Sequence, residues 1–270
     1  MPLEHPVEIK ITVGGDPTES PPGSVDEAVQ ALELPDGRAR RIWFLEDLTP
    51  GLTQHLPMLE TGQIFRVRLD EKKNGSREAD ATVKLRPARR TQLPHPWDRA
   101  HSAGEAPKDG TDGYEYRIEE DWAGTRRFLA ASLKVDIDPV RLTPEDAPED
   151  SRQSALPPRE VFGEHHQRFL AACADRRVVL AALTPLGPIE GTRWKDVKVG
   201  KFTTMVERWT VEGLDFLELS IQLEAGSKGD PLERLIAFST AVAARGLNPF
   251  SRQETKTRRV LEHLAHRAGA

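Results

Sequence analysis

Lysine, arginine and glutamate recur at alternate positions through this chain, and the spacing gives them chemical interest. Glu8-x-Lys10, Arg66-x-Arg68, Lys84-x-Arg86, Glu115-x-Arg117-x-Glu119, Lys134-x-Asp136 and Glu218-x-Ser220-x-Gln222 each set polar side chains two residues apart. In an extended strand such side chains share a face. Two like charges ~6 Å apart at an effective dielectric of ~20 repel by about 3 kcal/mol. Arg66-x-Arg68 and Lys84-x-Arg86 therefore call for compensation. Water supplies it on an open face; in an enclosed one it is carboxylates, an anionic ligand, or both. Linear phosphates suit such a row, because arginine forks grip phosphate oxygens and lysines act as point charges. Carboxylates on neighbouring strands could hold Mg²⁺ or Mn²⁺, which prefer oxygen ligands.

The elements that must position these groups are strands. Val7–Val13 alternates without a break, apolar at odd positions and polar at even ones, and Phe65–Leu69, Thr82–Arg86, Tyr114–Glu119, Ser132–Ile137 and Leu217–Leu223 do the same. Arg41–Leu45, Trp194–Val199 and Met205–Val211 are strand-like but less cleanly two-faced. About nine strands joined by short connections predict an α+β fold around an antiparallel barrel or tunnel of eight to nine strands, with flanking helices. Helices are predicted from the Ser24–Glu27 capping box to about Leu34, over Phe162–Ala174, from Asp230-Pro231 to the stop at Gly246, and from the Ser251–Glu254 capping box to about Arg267. His95–Gly113 and Asp138–Arg159 read as flexible loops within a single domain spanning 1–270.

Composition narrows the function. The formal net charge is -5, so the whole molecule is no magnet for nucleic acid or an anionic surface, and an anion site must be local. The polar strand faces together carry seven basic and five acidic groups, a local excess of cations. A single cysteine, Cys173, allows no intramolecular disulfide and fits a reducing, cytoplasmic compartment. Met1–Lys10 lacks the features of a secretory leader, and apolar runs such as Val178–Leu183 are too short to span a bilayer.

Taken in order along the chain, Glu8-x-Lys10, Arg66-x-Arg68, Lys84-x-Arg86, Lys134, Glu207 and Glu218, followed by a terminal helix, resemble the CYTH or triphosphate-tunnel superfamily. Arg40–Asp47 resembles a divergent form of its "tyrosine-tyrosine-aspartate" strand. The resemblance runs from about Val7 to Leu264. It implies an eight-stranded antiparallel tunnel that hydrolyses triphosphate-bearing compounds or tripolyphosphate, or cyclises ATP, with divalent ions. By position it implies phosphate-binding roles for Lys10, Arg66, Arg68, Lys84, Arg86, Arg117 and Lys134. It implies metal-binding roles for Glu8, Glu207 and Glu218, and a catalytic set of Glu8, Lys10 and Glu218, with Mg or Mn as cofactor. Two carboxylates of the family pattern are missing: Pro6 replaces the first glutamate of β-strand one, and Ser220 and Gln222 follow Glu218.

Three readings stay open: a phosphohydrolase for a triphosphate or polyphosphate, a non-catalytic module binding a phosphate-rich small molecule, and an interaction domain with wet sheet faces. Other candidates fit structural roles better. His165-His166 and His263-x-x-His266 lack a third ligand, Cys173 lies on an apolar helical stripe, Gly14-Gly15 reads as a turn, and Trp43, Trp194 and Trp209 read as packing aromatics.

Overall fold

The computed structural model describes residues 2–14, 24–48, 55–72, 74–94, 97, 113–142, 161–211, 213–247 and 255–268. Nine strands form: β1 Val7–Gly14, β2 Arg38–Glu46, β3 Gln63–Glu71, β4 Arg77–Leu85, β5 Tyr114–Ala123, β6 Arg126–Ile137, β7 Thr184–Val199, β8 Phe202–Val211 and β9 Leu214–Leu223. The described helices are α1 Ser24–Ala31, α2 Pro57–Glu60, α3 Glu164–Cys173, α4 Pro231–Ala243 and α5 Lys256–Ala268. Every strand predicted from alternation is present, and most run longer than their clean two-faced stretch. The Ser251–Glu254 capping box and most of the two predicted loops lie outside the described residues; Trp97, Gly113 and the short turn at Pro139–Leu142 belong to them.

In hydrogen-bonded order the strands run β1-β5-β6-β4-β3-β2-β7-β8-β9 and the sheet closes as a barrel. One expectation needs correcting. The barrel is mixed, because β1 pairs antiparallel with β9 but parallel with β5, with Glu8 opposite Asp121 and Lys10 opposite Ala123. Alternation reports which face a side chain takes and carries no information on strand direction. A parallel pair only needs a long connection between its strands, and β2 to β4 lie between these two.

The chain divides into two compact units: 1–40 with 119–129 and 189–260, and 41–118 with 130–188 and 261–270. In the first, Val7, Ile9, Ile11 and Val13 join Leu217, Leu219 and Ile221 under Val25 and Ala28 of α1 and Phe238 and Val242 of α4. Each of the Val, Ile, Leu and Phe side chains among them contributes roughly 1.5–3 kcal/mol on burial, and together they fix the register that turns Glu8 and Lys10 to the opposite face. Asp230 caps α4, its Oδ1 accepting from the Leu232 N–H at 2.9 Å, and Gly246 takes the left-handed conformation (φ 75°) that ends this segment.

In the second unit, α3 covers the apolar face of its strands. Phe65 meets Phe162 edge-on at 5.4 Å, and Trp97, Tyr116 and Phe169 form a mutual aromatic group at 5.1 to 5.6 Å. His166 is fully buried, with Nε2 3.1 Å from the Ala81 carbonyl oxygen. Burial, only partly opposed by that hydrogen bond, lowers its pKa to about 4. The ring is therefore neutral near pH 7, and because the carbonyl can only accept, Nε2 carries the proton. Glu46 ends β2 as a buried carboxylate that accepts from the N–H groups of Asp47, Met58 and Leu59, which starts α2. Burial raises its pKa, with those three hydrogen bonds opposing.

Candidate functional site

Charged side chains gather on the strand faces away from these cores. In the first unit the pairing of β1 with β5 sets Glu8 beside Asp121 on one face. Lys10 Nζ lies 2.7 Å from Glu8 Oε2 and 2.8 Å from Asp121 Oδ1. Only 14% of the Lys10 side chain and 3% of Asp121 are exposed, which rules out a wet open face at this point. Burial alone would lower the lysine pKa; the carboxylates of Asp121, Glu8, Glu218 and Glu119 outweigh it and hold the ammonium above the ordinary lysine range. Glu8, Glu119 and Asp121 each bring a carboxylate oxygen within 4.8 Å of the others. With Lys10 included the group carries a net charge of about -2, and its donors are all hard oxygens, so it fits Mg²⁺ or Mn²⁺. β1, which begins just after Pro6, supplies one of these carboxylates, and β5 supplies the other two.

Glu207 and Glu218 stand directly opposite each other on β8 and β9. Glu207 therefore shares a face with Glu218. Arg208 takes the other face and pairs with Asp215 and Asp26, which raise its pKa. Lys256, from the first turn of α5, reaches both glutamates, 2.5 Å from Glu207 Oε2 and 3.0 Å from Glu218 Oε1. Arg40 of β2 takes the other oxygen of Glu207. Its path runs over Gly191, where a Cβ would come within 3.2 Å of Arg40 Cγ. Lys256 also lies 4.0 Å over the ring of Trp209. That tryptophan is a packing residue with a cation above it.

In the second unit the register of β3, β4 and β6 arranges the basic residues in rows. Arg66, Thr82 and Lys134 form one row, Arg68, Asp80 and Asp136 the next, and Lys84 pairs with Ser132 across β6. Arg66, Lys84 and Arg86 are half-buried, and Arg86 lies just past the end of β4. Arg68 is met by Asp80, with Nε 3.0 and 3.1 Å from its two oxygens and Nη2 2.9 Å from Oδ2. Burial would raise the Asp80 pKa; Arg68 first, then Arg66 and Lys134, bring it below the usual carboxylate range. Lys134 lies 3.0 Å from Glu115 and Arg117 2.5 Å from the same carboxylate. Their hydrogen bonds and charges outweigh burial and lower the Glu115 pKa. Arg117 is 57% exposed, the most open of the predicted phosphate ligands.

Sequence reading therefore missed Asp80, Asp121, Arg40 and Lys256. Asp80 and Asp121 carry a findable signal: each continues the alternation by one step, from Thr82 and from Glu119. Lys256 carries none, since it reaches this face from a helix.

No family model and no curated protein matches the sequence. Solved structures do. A candidate adenylyl cyclase from Hippeastrum, described as having a dominant triphosphatase activity, superposes with a TM-score of 0.49 at 11% identity over 97% of this chain and 96% of that one. A candidate adenylate cyclase from Bacillus halodurans gives 0.48 at 12% over 94% and 96%. A protein from Pyrococcus horikoshii gives 0.43 at 12% over 95% and 99%. What this chain does must follow from its own side chains. Among the described residues, no helix is long and apolar enough to cross a membrane.

Proposed function

We propose that the protein binds a small phosphate-rich anion, a triphosphate or polyphosphate, and hydrolyses it with the help of a divalent ion. The observation that carries this reading is the fixed row of cations on one polar face: Arg66 and Lys134 flank the Thr82 hydroxyl in register, with Arg68 and Lys84 on the adjoining rows. Antiparallel strands hold these groups at set spacings, so a chain of phosphoryl oxygens meets preorganised donors. Arg86 and Arg117 extend the basic set of this unit.

Glu8, Glu119 and Asp121 would hold Mg²⁺ or Mn²⁺. An ion held there would supply charge neutralisation and polarisation for a phosphoryl group. Lys10 remains protonated among these carboxylates, so it serves as an electrophilic donor and not as a base. Glu218 contributes to the field that keeps it charged.

A second reading, a binding module without turnover, is favoured by one feature. Lys10 already provides the carboxylate group with a cation at 2.7 and 2.8 Å. One experiment separates the two. Purified protein is heated with tripolyphosphate, with and without Mg²⁺ or Mn²⁺, while phosphate release is measured in parallel. Metal-dependent release that is abolished by Glu8→Gln selects hydrolysis. Stabilisation without release selects binding alone. Neither response would refute both.

A further inference from the structure

The Glu207–Glu218 pair sets a physical problem. Two carboxylates directly opposite each other across neighbouring strands repel, and here their side chains are 15% and 12% exposed. Two cations contact them and a third is their neighbour in register. Lys256 bridges both, Arg40 holds the second oxygen of Glu207, and Arg193 of β7 stands opposite Glu207 in register. Lys256 is fixed there on every side. It is 7% exposed, its ammonium sits over Trp209, and the next turn places Arg259 5.6 Å over Phe216 and buries Val260 completely. The contrast with the Glu8 group is one of charge. There Lys10 contacts two of the three carboxylates, Glu8 and Asp121, whereas here Lys256 contacts both carboxylates and Arg40 contacts one of them again.

We infer that Lys256 is a built-in counter-cation occupying the position between Glu207 and Glu218, so that this pair takes no divalent ion and any metal binds at Glu8, Glu119 and Asp121 alone. The part concerning Glu8 rests on the proposed function; the part concerning Lys256 does not. Lys256 is thus a positioning residue that decides how many metal ions the chain accepts. A lysine suits the task because its compact ammonium contacts two carboxylates at once, and the indole face beneath it offsets part of its lost hydration.

The test counts bound Mn²⁺ by electron paramagnetic resonance and calorimetry in the full chain and its variants, with melting followed in EDTA and in Mn²⁺. Glu218→Gln is expected to leave the number of bound Mn²⁺ unchanged. Lys256→Gln is expected to gain one Mn²⁺ per chain and to melt lower in EDTA, with Mn²⁺ restoring at least half of the loss. Lys256→Arg should stay near the wild type in both respects. Loss of a bound Mn²⁺ on Glu218→Gln would overturn the inference, and so would a Lys256→Gln protein that gains none. If Lys256→Gln does not fold, the Glu218→Gln count decides. Should the wild type bind no Mn²⁺, the metal half of the proposed function fails, while a gain in Lys256→Gln still supports this inference and its absence still refutes it.

Discussion

Asp80 is the carboxylate that compensates Arg68, and Asp80→Asn probes both the fold and the proposed ligand. The wild-type pair makes contacts of 2.9 to 3.1 Å with both partners less than a fifth exposed, and Asp80 also accepts from the Thr82 hydroxyl at 3.1 Å. A hydrogen bond to a charged group contributes about 1.5–3 kcal/mol, and breaking a fully buried pair costs about 3–5 kcal/mol. A pair this well covered should fall between, near 3 kcal/mol. At about 2–4 °C per kcal/mol for a chain of this size, Tm should drop by roughly 6–12 °C. The same change releases Arg68 beside Arg66 and removes one negative charge from the cationic rows. If a phosphate chain binds there, its affinity should rise about tenfold, so saturating tripolyphosphate should stabilise Asp80→Asn by about 1.4 kcal/mol more than the wild type. Urea unfolding at pH 7, with and without tripolyphosphate, measures both. A variant within about 0.5 kcal/mol of the wild type would refute the energetic reasoning. Equal stabilisation of both proteins by tripolyphosphate would refute the placement of the anion.

Lys10→Met should destabilise the protein by about 3–5 kcal/mol, because Glu8 and the buried Asp121 lose their ammonium. Mn²⁺ should raise its Tm by more than it raises that of the wild type, and an equal rise would argue against a metal at Glu8. Arg66→Ala and Lys84→Ala should each weaken tripolyphosphate binding about tenfold or more while the circular dichroism spectrum is unchanged; unchanged affinity in both would remove the cationic rows from the site. His166 supplies a pH dependence. Its folded pKa of about 4 lies below the ordinary 6.5, so the unfolded chain takes up the proton first as pH falls. The stability it provides is full above about pH 6.5 and is lost by about 3 kcal/mol on reaching pH 4. The stability difference between the wild type and His166→Phe should shrink over that interval, and a constant difference would count against a buried neutral imidazole.

Much of this was legible in the residues themselves. A strand with one buried face must alternate, so Val7–Val13, Phe65–Leu69 and Leu217–Leu223 announced both the strands and the sets of polar groups sharing a face. The Asp230-Pro231 cap with Gly246 as a stop announced α4, because an orphan N–H needs an acceptor and a terminating turn needs a left-handed residue. Tertiary structure decided what those faces meet. Period-two patterning carries no strand direction, so it could not pair β1 with β5 in parallel or bring Asp121 beside Lys10. It could not choose which carboxylate answers Arg68, since the register of β3 on β4 makes that choice. Nor could it reveal that Lys256 settles between Glu207 and Glu218, because electrostatic partners far apart in sequence are set by packing, and local spacing records only the neighbours within one strand or one helical turn.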